Sequence, residues 1–134
     1  MIFSKERVSD KQVDELSRRL FTKRGVINLD KNDLWSVLGH RDGVLLSAQQ
    51  ENEDSTTFMR SFLARLAEAP ELKQSKSILF YFGNSTETPM YMSDLSMVGD
   101  VLAPYPEMDC IWGIQKNDEG VGLSAVAVFS VERE

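Results

Sequence analysis

The sequence has 134 residues, of which 42% are apolar and 27% charged, proportions of one ordinary folded domain rather than of a disordered or fibrous chain. Acidic residues outnumber basic ones by 21 to 15, for a formal net charge of −6, and the charges are scattered. This argues against nucleic acid as a partner, because a phosphate-binding face concentrates Lys and Arg to release counterions. The densest basic group, Arg18, Arg19, Lys23 and Arg24, falls at the end of a predicted helix, where cations suit the negative pole of the helix dipole. The opening residues lack a signal peptide's apolar stretch and no run of about 20 apolar residues occurs, so the cytoplasm and no membrane partner are expected.

In chain order, residues 9–24 form the first periodic segment, with Val13, Leu16 and Leu20 on one helical face beside Phe21. Ser9 and Gln12 have capping-box spacing, and Gly25 is a suitable C-terminal stop. A short helix is expected over 30–38 with Leu34, Val37 and Leu38 inward, followed by a buried strand over 43–48 and a polar loop over 49–54. Residues 55–69 read as a helix with Phe58, Phe62 and Leu66 in register, closed by Pro70. The segment 77–82, Ser-Ile-Leu-Phe-Tyr-Phe, is the strongest strand and is expected at the centre of a sheet. A helix over 91–103 follows, and two last strands over 109–115 and 122–132 flank a turn at 116–120 that reads as an antiparallel hairpin.

The order helix, short helix, β-α-β-α-β-β predicts a single α+β domain over 1–134: helix and loop over 9–38, sheet domain over 43–134. The expected architecture is a two-layer sandwich with a four-stranded mixed sheet.

Chemistry is sparse. His40 is the single histidine and lies in a loop, so no Ser-His-Asp triad or histidine metal cluster is expected. Glu51, Glu53 and Asp54 are of the type that ligates a hard cation, but carboxylates before a helix equally suit its dipole, and no metal is expected. Cys110, the single cysteine, lies in an apolar run and is expected to be a buried small hydrophobe. Trp35 and Trp112 suit core or interface anchors better than cofactor platforms. No catalytic residue and no cofactor are expected.

The stretch Gly25-Val-Ile-Asn28-Leu-Asp30-Lys-Asn-Asp33 has the spacing G-x-x-N-x-D-x-x-D and resembles the synergy (T7) loop of the FtsZ and tubulin family. The likeness extends through the strand at 77–82 and the I-x-G form of Ile111-Trp-Gly. It covers about residue 9 to the C-terminus and implies that family's C-terminal, chorismate-mutase-like domain. In the family, GTP is held by an N-terminal domain through a glycine-rich loop. No segment here has that density of glycine, and Gly83-Asn-Ser-Thr reads better as a surface turn. The resemblance therefore implies a chain that is not a GTPase by itself.

The family's acidic loop reaches the nucleotide of the next subunit, so the resemblance makes Gly25, Asn28, Asp30 and Asp33 candidate partner-binding residues. The implied partner is an FtsZ-type GTPase or a second copy of the chain. Asn28 and Asp30 also suit N-caps of the short helix, with Asp33 in its first turn. A stability loss is expected on removing Asp30 but not Asp33. Lys31 and Asn32 depart from the residues usual at these positions of the family loop, and the glycine-rich stretch that follows it in the family is missing after Gly43. The alternative function is a small-molecule-binding or regulatory domain with a pocket between sheet and helices or at an oligomer interface.

Overall fold

The structure, a computed structural model, describes residues 1–21, 27–50, 54–118 and 121–131. Five strands form one mixed sheet, not the four expected: β1 (Ile2–Ser9), β2 (Asp42–Gln50), β3 (Ser77–Asn84), β4 (Asp109–Lys116) and β5 (Leu123–Val131), in the order β1-β2-β5-β3-β4. The unforeseen strand is β1. Its sequence is mostly polar and its side chains are mostly exposed, so it carries no run of apolar alternation to read. Its strand form comes from pairing antiparallel along all of β2, from Ile2 opposite Gln49 to Ser9 opposite Asp42. Phe3 packs on one face of the sheet and Val8 on the other, while the Lys5 ammonium reaches Glu71 at 2.9 Å.

The expected hairpin between the last two strands does not form. β3 lies between them, parallel to β4 and antiparallel to β5. The physical reason is the burial of β3: residues 77–83 are all buried, and such a strand needs ladder partners on both edges as well as cover on both faces. The connection from β4 to β5 consequently crosses the end of β3. There the Asn117 N–H donates to the Asn84 carbonyl at 2.7 Å, and the Asn117 side-chain amide donates to the Gly122 carbonyl at 2.9 Å.

The sandwich has three layers rather than two, because alternate residues of the central strands feed two cores. One face of the sheet, with Leu46, Ile78, Phe80, Phe82, Ala127 and Phe129, lies under α3 (Ser55–Glu68), whose Phe58, Phe62 and Leu66 are fully buried. The other, with Leu45, Leu79, Tyr81 and Val128, is covered by α1 (Val13–Leu20) and α2 (Lys31–Leu38). Val13 and Leu16 are buried and Leu20 is half-buried on this face, so the apolar stripe of the first helix is spent on the sheet.

Helix boundaries also differ. Ser9 ends β1 and residues 10–12 form a 3-10 turn, so α1 starts at Val13; the Ser9 N–H still donates to the Gln12 side chain at 2.9 Å. Arg18 and Arg19 occupy the last turn of α1, with Arg19 paired to Glu6; Lys23, Arg24 and Gly25 lie outside the described residues. Gly39 ends α2 at a φ of +42°, in the left-handed conformation that glycine accepts most readily. Pro70 opens a 3-10 turn, Pro70–Gln74, rather than simply closing α3. The single helix expected over 91–103 is two short ones, α4 (Met92–Leu95) and α5 (Met97–Leu102). Cys110 is exposed, not buried, because β4 is an edge strand.

Candidate functional site

The acidic loop is anchored to the edge of the sheet. Ile27 and Ile114 exchange backbone hydrogen bonds, Ile27 N–H to the Ile114 carbonyl at 3.3 Å and the reverse at 3.0 Å. Gly113 permits this approach: a Cβ there would stand 2.7 Å from Leu29 Cγ and 2.9 Å from the Ile27 carbonyl oxygen. From that anchor the chain passes exposed Asn28 and enters α2 at Asp30.

Asp30 is the N-cap of α2. Its Oδ1 accepts the N–H groups of Asn32 at 2.9 Å and Asp33 at 3.4 Å. Asp33 is the other half of the cap, because its Oδ2 accepts the Asp30 N–H at 2.8 Å. The expected loss is at Asp30 but not at Asp33, whereas the geometry gives Asp33 a capping bond too: three N–H groups are satisfied by the two carboxylates. Alanine at either position is expected to lower stability by about 0.5–2 kcal/mol, read as a lower denaturant midpoint at unchanged slope. The cap engages one oxygen of each carboxylate.

Asn28, Asp30 and Asp33 are therefore brought to one surface at the start of α2, and Gly25 lies outside the described residues. The next turn of the helix presents Trp35, 40% exposed. Lys31 pairs with Asp14 of α1 at 3.3 Å. His40, in the loop after α2, is highly exposed, with Nδ1 3.6 Å from Asp10. Of the acidic group before α3, Glu51 and Glu53 lie outside the described residues, and Asp54 caps α3 by accepting the Thr57 N–H at 2.9 Å and its hydroxyl at 2.7 Å. Those bonds hold the Asp54 carboxyl below the ordinary aspartate value. Among the described residues no group of three or more His, Cys, Asp or Glu side chains could hold a metal, and no helix is long and apolar enough to cross a membrane.

Asp94 is a polar centre that the reading of the sequence passed over. Its side chain is fully buried and accepts from the hydroxyls of Ser55 and Thr56, the latter at 2.7 Å, and from the Tyr91 N–H at 3.0 Å. Burial acts to raise its pKa, but these donors outweigh it and hold the carboxyl below its ordinary value. The available signal was its place three residues after the helix start at Tyr91, where an acidic side chain turns back to cap; its tie to α3, 38 or 39 positions away, is tertiary.

No protein-family model matches the sequence and no curated protein is significantly similar to it. Solved structures do match. The GTPγS-form protofilament of TubZ from Bacillus thuringiensis serovar israelensis aligns with a TM-score of 0.64 at 10% identity, over 92% of this chain and 34% of that one. The GDP-form protofilament structure of the same TubZ gives 0.63 at 13%, over 83% and 32%, and an FtsZ mutant from M. jannaschii gives 0.59 at 14%, over 84% and 35%. The protein has a tubulin/FtsZ-like fold and spans about a third of the length of the subunits it matches.

Proposed function

We propose that this protein is a non-enzymatic interaction module of tubulin/FtsZ-like fold, equivalent to the family's C-terminal domain with its T7-type loop. It docks through the surface at the start of α2 on a nucleotide-bearing FtsZ-type partner or on a second copy of itself. The observation that carries this reading is the placement of Asn28, Asp30 and Asp33 together at the start of α2, on a loop braced against β4. Matching structures described as a TubZ protofilament and an FtsZ dimer support assembly as the use of such a surface. In this reading the chain supplies acidic side chains to a partner's nucleotide site and carries out no GTP hydrolysis of its own. The cap does not conflict with that role, because it engages one oxygen of each carboxylate.

The test uses Asp30→Asn and Asp33→Asn. Asparagine caps helices about as well as aspartate, so both variants are expected to keep their unfolding midpoints while losing the effect on polymerisation and GTP turnover of an FtsZ from the same cell. Stoichiometric GTP binding by the purified protein alone would refute the reading. So would an unmodified protein that neither sediments with FtsZ polymers, nor alters their turnover, nor self-associates.

A further inference from the structure

On the sheet face opposite the acidic loop, α4 and α5 close incompletely over the β3–β4 edge. Their apolar residues Leu95, Val98 and Leu102 are half-buried, and no residue of α5 is fully buried. Beneath them is a cleft of about 390 Å³, within the size range of small-molecule pockets. Its floor is Phe80 and Phe82, whose rings lie 5.6 Å apart and within 14° of parallel. Trp112, 40% exposed, forms the wall on β4.

The lining includes no Asp, Glu, Lys, Arg or His. Its polar groups are few: the Ser96 hydroxyl donates to the Ser93 carbonyl at 2.7 Å, and the Cys110 thiol, exposed at the cleft's edge but partly desolvated, is pushed above its ordinary pKa. A carboxylate, phosphate or ammonium placed inside would lose hydration with nothing to compensate it. An apolar ring recovers dispersion contacts with the Trp112 indole and the half-buried Leu95, Val98 and Leu102, and it releases water that such walls hold poorly.

We propose that this cleft binds a small, uncharged aromatic or polycyclic molecule, seated between the Phe80–Phe82 floor and the α4–α5 wall with Trp112 at its side. The site is independent of the docking surface at α2. It gives a place and a ligand chemistry to the small-molecule alternative that the sequence raised.

N-phenyl-1-naphthylamine, an uncharged aromatic dye that brightens in apolar surroundings, is a suitable probe. Binding should be saturable, and the bound dye should slow alkylation of Cys110 by N-ethylmaleimide. That reaction reports on this site alone, since Cys110 is the single cysteine and borders the cleft. Cys110 shares a sheet face with Phe80 through the parallel register of β3 and β4, so Cys110→Phe fills the cleft and should weaken the dye by about tenfold or more. Gly99→Phe, at a position where an added Cβ meets nothing within 4 Å, should fill it from the helix side. Absence of saturable binding overturns the proposal. So does binding that leaves Cys110 alkylation unchanged, a result read on the unmodified chain whatever the stability of the variants. Asp30→Asn and Asp33→Asn should leave dye binding intact, so failure here and failure of the docking reading are separable.

Discussion

Replacing Asp94 with alanine is expected to destabilise the protein by about 3 kcal/mol, because the hydroxyls of Ser55 and Thr56 and the Tyr91 N–H all donate to this buried carboxylate and would lose their acceptor together. For a chain of this length that corresponds to a fall in Tm of roughly 10 °C. Asp94→Asn should lose less, since an amide oxygen still accepts. The effect is pH-dependent with a definite sign. The folded pKa of Asp94 is depressed, so its contribution is fully present above the unfolded aspartate value of about 4 and is lost as pH falls through the lower folded value. The stability gap between the unmodified protein and Asp94→Asn should narrow on acidification below about pH 4. A gap that stays constant to pH 2, or an Asp94→Ala protein as stable as the unmodified one, would contradict this assignment.

Gly113→Ala is expected to detach the acidic loop from the sheet. The new Cβ would meet Leu29 Cγ at 2.7 Å, the Ile27 carbonyl at 2.9 Å and the Tyr81 ring at 3.0 Å. One of these contacts is backbone and cannot swing aside as a flexible side chain can. A loss of about 1–3 kcal/mol follows from overpacking at such a site, together with faster amide exchange at Ile114, whose N–H donates to Ile27 at 3.0 Å. In the docking reading, this variant also weakens partner binding while the Asp30–Asp33 capping bonds persist. Unchanged exchange at Ile114 would show that the loop accommodates the methyl group without leaving β4.

The sequence by itself determined the elements whose physics is local. The apolar run at 77–82 marked an interior strand of the sheet, and Phe58, Phe62 and Leu66 at helical spacing marked α3 to within one residue of its observed end. Asp30 and Gly39 mark the two ends of α2 because a carboxylate cap and a left-handed glycine act within one turn. Of the candidate site, Asp30 was legible as a cap, while the reciprocal bond of Asp33 depended on which way its side chain turned.

Only the tertiary structure decided what depends on long-range pairing. β1 exists through its ladder to β2, some 40 residues on, and a polar edge strand carries little local signal. The turn before β5 is equally compatible by composition with a hairpin or with a crossing. The crossing prevails because β3, buried on both faces, takes β4 and β5 as partners on its two edges. The helices divide between two faces for the same reason, since alternate side chains of β3 need cover on both sides. Asp94 and the cleft beside Trp112 belong to this second class: each is made by elements distant in sequence, and their burial and geometry arise only when the sheet brings them together.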